Sequence, residues 1–153
     1  MNEILKNLPT YFGMVLGGYT ALLFGTQAVA LLFSEKINSQ EHLDKVVNEE
    51  ADKLGLDKRT LVGRFYAPDD SNYSSITGAR CFVADFVFEE RTVPIKVVEI
   101  KSGAYARRNV VRHELYHLAN HFPIRKNSVA RCLGNFFYEE PTAILYESTG
   151  IKL

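Results

Sequence analysis

The first strong pattern along the chain is an absence of charge. Residues 7–34 carry none, and within them residues 11–33 (YFGMVLGGYTALLFGTQAVALLF) are apolar apart from Gln27, the one strongly polar side chain. As a helix rising about 1.5 Å per residue, this run is about 35 Å long, enough for a hydrocarbon core of about 30 Å. Gly13, Gly17, Gly18 and Gly25 suit a membrane helix better than a soluble one. A signal peptide is the competing reading, with Lys6 before the apolar run and Ala28-Val29-Ala30 as a small-x-small cleavage site. The run continues past that site to Phe33, which favours an uncleaved, single-pass anchor meeting the lipid bilayer through residues 11–33. A buried soluble hairpin is the third reading. Lys6 precedes the run and Lys36 and Lys45 follow it, so basic residues do not orient it.

Beyond residue 34 the rhythm changes. Residues 34–40 read as a polar linker. Ser39 then caps a helix over 40–54, in which Leu43, Val46, Val47, Ala51 and Leu54 recur at the spacing of one helical face and Gly55 provides the C-cap. Glu41, Asp44, Lys45, Glu49, Glu50, Asp52 and Lys53 are expected on its solvated side. Residues 61–67 read as a strand, 68–72 (PDDSN) as a turn, and the loop runs on to Gly78. Residues 81–88 and 93–100 are rich in branched and aromatic side chains and are joined by residues 89–92, as in an antiparallel hairpin. Pro94 suggests an edge strand. Ser102-Gly103 ends the strands, a helix follows over 104–120, and Pro123 stops it. Asn127 or Ser128 caps a helix to about 138, and a last helix over 141–148 closes at Gly150. These elements predict an α+β fold: a membrane anchor and linker at 1–38, then a domain at 39–153 with a small antiparallel sheet.

Charge and composition narrow the function. The chain has 153 residues, with 18 basic and 18 acidic side chains. That balance excludes a typical nucleic-acid binder, which needs a basic surplus against phosphates. Two cysteines, Cys81 and Cys132, are too few for a disulfide framework or a thiolate zinc site. They read as buried free thiols or as one bridge.

The chemistry is concentrated in His113-Glu114-Leu115-Tyr116-His117. Histidines four apart in a helix share a face, one turn above the other, and both imidazoles reach one metal. Zn2+ accepts neutral imidazole nitrogen and leaves a position open to water. Glu114 points about a quarter-turn away, towards that water rather than the metal. Zinc lowers the pKa of the water towards neutrality, and the Glu114 carboxylate takes its proton as general base while the water attacks a peptide carbonyl. Val110, Val111, Leu115 and Leu118 form a separate apolar face.

With this motif the chain resembles the zincin metallopeptidases, which implies a minimal zincin-like domain, a peptide or protein substrate and a third protein ligand downstream. His121 has tempting spacing, but it lies about 12 Å from His113 along a straight helix. The metzincin pattern is absent, since position 123 is Pro. Gluzincins carry the third ligand as a Glu on a later helix, in Glu-x-x-Ala followed by Asp or Asn. Glu140-Pro141-Thr142-Ala143 matches that pattern, with Ile144 in place of the acid or amide. The resemblance therefore implies His113, His117 and Glu140 as metal ligands, with Glu139 as the runner-up. Ile144 leaves unassigned the group that would support the first histidine. In pattern the chain is nearest to the HtpX-like membrane peptidases, with a membrane span, then Leu54-Gly55-Leu56, then strands and the motif helix. It is also similar to ImmA/IrrE-like domains, whose HELxHxxxH pattern looks like His113 through His121. Tyr105, Tyr116, Tyr138, Tyr146 and Arg131 are candidates to stabilise an oxyanion. Arg107, Arg108 and Arg112 read as a solvated basic side of the motif helix.

The expected function is a membrane-anchored zinc peptidase. The alternative is a catalytically inactive zincin-fold subunit or scaffold with protein partners in the membrane. A DNA-linked regulatory peptidase is disfavoured by the neutral charge and the lack of a helix-turn-helix pattern.

Overall fold

The computed structural model describes residues 2–66, 78–88, 91–120 and 138–151. The turn expected at 68–72, the helix expected from 128 to 138, and His121, Arg131 and Cys132 lie outside them. Helix α1 (Asn2–Phe33) comes first, and its segment Asn7–Phe33 is long and apolar enough to cross a membrane. No residue of its most apolar window is buried. A half-buried stripe, Leu16, Tyr19, Leu23, Gln27 and Leu31, follows the helical repeat along one side.

Helix α2 (Gln40–Leu54) has the bounds its apolar spacing predicts. Ser39 accepts a hydrogen bond from the His42 amide at its start, and Gly55, at φ 70°, closes its end in the left-handed region that glycine adopts without strain. Strands β1 (Leu61–Tyr66), β2 (Ala79–Phe88) and β3 (Arg91–Lys101) make a sheet of order β1-β3-β2. Helix α3 (Arg108–Asn120) carries the His-Glu-x-x-His motif, and α4 (Glu140–Thr149) follows. The α+β class stands as expected.

The sheet is mixed, however, and not antiparallel. The β2–β3 hairpin is antiparallel, with Phe88 opposite Arg91, but β1 runs parallel to β3 from Leu61 opposite Lys96 to Tyr66 opposite Lys101. The hairpin inserts its second strand between β1 and β2. This makes β3 central and buries Val97, Val98 and Ile100. Pro94 therefore sits in a central strand, but β1 pairs only from Lys96 onwards. At Pro94 the strand has one neighbour, Asp85 of β2, so the missing N–H breaks no ladder on the other side.

Val98 and Ile100 point from the sheet into a core shared with Leu43, Val46 and Val47 of α2 and Val111 and Leu115 of α3. Gly63 lets α2 approach β1: a Cβ there would lie 2.8 Å from a methyl of Val47.

Two regions expected to be solvated are buried or docked. Glu50 is fully buried. It accepts hydrogen bonds from Lys53 at 2.9 Å and Arg108 at 2.6 Å, and Arg112 Nε lies 3.0 Å away. Burial pushes its pKa up, but the bonds from Arg112, Lys53 and Arg108 outweigh that and hold it below the ordinary value. Arg108 and Arg112 are thus structural cations tying α3 to α2, not a solvated basic side. The linker at 34–37 is also docked. Ile37 is buried and donates its amide to Ala106 O at 2.8 Å. Ser34 Oγ accepts from the Asn109 amide at 2.9 Å, and Arg107 donates to Ser34 O. The end of α1 is therefore bonded directly to the start of α3. This pairing also explains why α3 begins at Arg108 and not at 104, since residues around Ala106 and Arg107 bond to the linker instead.

Candidate metal centre

Helices α3 and α4 pack antiparallel, so successive turns of one face successive turns of the other. Ala143, fully buried between Glu140 and Glu147, keeps the contact close. Two polar faces meet there. On α3, Asn109, His113 and His117 recur every four residues. On α4, Glu140 and Glu147 stand seven apart, two turns along one face. Pro141 falls in the first turn of α4, where its missing N–H has no intrahelical partner in any case.

His113, His117 and Glu140 come together, with one donor atom from each within 4.8 Å of the others. The two Nε2 atoms are 3.1 Å apart. Glu140 Oε2 lies 3.4 Å from His113 Nε2, and Oε1 lies 3.6 Å from His117 Nε2. A tetrahedral ion with ligand distances of about 2.0–2.1 Å spaces its ligand atoms about 3.3–3.4 Å apart. The donor set, two imidazole nitrogens and a carboxylate oxygen, and its spacing thus fit zinc. Glu139 is the residue before α4 and takes no part in this cluster.

Glu147 was not legible as a site residue. Its Oε2 lies 3.1 Å from His113 Nδ1, and its Oε1 accepts from Asn109 Nδ2 at 2.7 Å. It offers the support for the first histidine that Ile144 cannot give: a metal would displace the second ring proton, Nδ1–H would donate to Glu147, and Nε2 would be left to ligate beside Glu140 and His117. The only sequence signal was the seven-residue spacing from Glu140. Glu147→Ala is expected to weaken zinc binding about 10- to 100-fold, read by competition with a calibrated chelator. Unchanged affinity would remove Glu147 from the site.

The electrostatics suit a cation. Burial pushes the His113 pKa down, but hydrogen bonds to Glu140 and Glu147 and the charge of Glu114 outweigh it and raise it to about 10. Burial and the neighbouring His113 hold His117 down, in the neutral form that ligation requires. The bond to His113 keeps Glu140 below the ordinary carboxylate range against the pull of burial. Glu114 behaves differently. Burial, with Glu140 and Glu147 nearby, raises its pKa despite His113 and a hydrogen bond to the Cys81 thiol. Burial and the same carboxylate push the Cys81 thiol well up, so it stays protonated and donates to Glu114.

A cavity of about 410 Å³ opens beside His113 and Glu114, bounded by Gly78 and Ala79 at the start of β2, by Tyr105, and by α1. Of the oxyanion candidates, Tyr105 lines this cavity. Tyr116 and Tyr146 are buried and stack on each other with ring centroids 5.3 Å apart, as packing residues. Tyr138 is exposed. Comparisons with protein-family models, with curated proteins and with solved structures find no match to this chain.

Proposed function

We propose that the protein is a membrane-anchored zinc peptidase, with His113, His117 and Glu140 as ligands and Glu114 as the proton-transfer group. The observation that carries this reading is the convergence of three donor atoms at tetrahedral spacing next to a half-buried carboxylate that lines a cavity. Zinc held there would polarise a carbonyl and make a water acidic near neutral pH. Glu114 takes the proton as water adds to the peptide carbonyl carbon, and returns it to the leaving nitrogen as the C–N bond breaks. Burial raises its proton affinity above that of an ordinary carboxylate, which favours holding the proton between the two steps. The Cys81 thiol orients the carboxylate. Tyr105 faces the same cavity, where its phenol can donate to the developing oxyanion. The outer edge of β2 carries no partner strand among the described residues, and an extended substrate can pair there by strand addition.

The anchor reading rests on the length and apolarity of Asn7–Phe33 and on the exposure of its window. A soluble core helix of that length would be largely buried. The resemblance to gluzincins, nearest to HtpX-like peptidases, belongs to the same proposal.

The test is metal content together with cleavage. The full chain in detergent or vesicles is expected to hold about one zinc and to cleave an unstructured peptide. Chelation should abolish cleavage and added zinc restore it. Cleavage that survives complete metal removal would overturn the proposal.

A further inference from the structure

Four residues of α1, Phe24, Gln27, Ala28 and Leu31, line the cavity that holds His113 and Glu114. Their spacing of three, four and seven is one face of the helix, so α1 is a wall of the cleft as well as a tether. The bonds from Ser34 and Ile37 to the start of α3 hold that wall in place. Gln27 is the exception in an otherwise apolar run. Its amide carries two donors and an acceptor, and no hydrogen-bond partner for it occurs among the described residues. A polar side chain in a membrane helix is costly and characteristically faces a functional cavity.

Depth along α1 indicates what enters the cleft. The Asn7–Phe33 segment is about 40 Å long as a helix, about 10 Å more than the hydrocarbon core. Leu31 and Phe24 lie about 3 Å and 14 Å from its C-terminal end. With this segment centred in a bilayer, the cleft would open at the boundary between lipid and water. Apart from the motif residues, Glu147 and Gln27, its lining is largely apolar: Phe24, Ala28, Leu31, Ala79, Val110 and the Tyr105 ring.

We infer that Gln27 is a substrate-binding residue: its amide bonds the backbone of an extended polypeptide that reaches the cleft from the membrane surface, with an apolar side chain seated between α1 and α3. This rests on the peptidase reading. It makes the substrate a membrane-inserted or membrane-bound polypeptide with an apolar residue next to the scissile bond.

The test uses the full chain carrying Glu114→Gln, loaded with zinc, in phosphatidylcholine vesicles. The probe is a fluorescent peptide with an apolar residue beside the scissile bond, tethered to the same vesicles by an acyl chain. Adding Gln27→Leu is expected to raise its Kd about tenfold with zinc content unchanged. Ala28→Phe, which fills the cleft, should abolish binding with zinc retained. In otherwise unaltered protein, the tethered peptide should be cleaved in preference to the same peptide free in solution. Equal affinity with Gln27 or Leu overturns the inference and leaves the peptidase reading standing, as does equal cleavage of free and tethered peptide. Loss of zinc in Gln27→Leu would mark the amide as a support of the fold and also overturns it. Failure of the unaltered protein to bind zinc or cleave any peptide sinks the peptidase reading, and the inference falls with it.

Discussion

Glu114→Gln is expected to lower peptide hydrolysis about a thousandfold and to leave about one zinc per chain in place. The magnitude follows from what general acid–base catalysis contributes, about a hundred- to ten-thousandfold. Glutamine keeps the shape of the side chain but cannot accept and return a proton. It can still contact the Cys81 thiol that the structure places beside Glu114, so the site should keep its geometry. The ligand cluster is His113, His117 and Glu140 and excludes Glu114, which is why metal and activity should separate in this variant. Single-turnover cleavage and elemental analysis on the same sample provide the check. Full cleavage by Glu114→Gln would refute the mechanism, and zinc loss would move Glu114 into the ligand set.

His113→Ala should have the largest effect on the metal, weakening zinc binding by at least about a hundredfold and abolishing cleavage. His113 is the most connected group in the centre. Its Nε2 faces His117 at 3.1 Å and Glu140 at 3.4 Å, and its Nδ1 faces Glu147. Removing it deletes one ligand and leaves two buried or half-buried carboxylates without their partner, a cost beyond the loss of a single bond. Glu140→Ala belongs to the same class, whereas Glu139→Ala should leave zinc affinity within about twofold, because Glu139 lies outside the cluster. Titration with zinc against a competing chelator ranks the variants. Equal zinc binding by the unaltered protein and His113→Ala would sink the site assignment, and a larger loss in Glu139→Ala than in Glu140→Ala would exchange the two glutamates.

The parts of this centre that the sequence exposes are those with local geometry. His113 and His117 share a face because any helix brings residues four apart together, and the flanking apolar residues make that stretch a helix. Ser39 and Gly55 end α2 where they do because capping is a contact within one turn. Glu140 could be picked out only through a family pattern, since Glu139 has the same side chain one position away. What separates them is the direction each faces around α4, and that depends on how α4 docks against α3.

The remaining features depend on chain segments far apart in sequence. Glu50 and Glu147 look like any other glutamate on a charged helix, and the apolar spacing of α2 put Glu50 among the solvated charges. Docking of α3 buries Glu50 against Arg108 and Arg112, where the cost of desolvation is met by ion pairs. The hairpin could be seen in its two adjacent runs of branched and aromatic residues, but the parallel pairing of β1 with β3 could not, because strand order depends on a crossover and not on either strand's own pattern. Gln27 stood out in the sequence as a lone polar residue in an apolar run. Only the tertiary structure placed it in the cavity of His113 and Glu114, through the bonds that tie Ser34 and Ile37 to the start of α3. By itself the sequence determined that α1 to α4 are helices, the hairpin and the histidine pair, all set by contacts within a few residues. The tertiary structure decided which carboxylate faces the histidines, which one bonds His113 from behind, and that α1 walls the cleft, because each of these depends on packing between elements tens of residues apart.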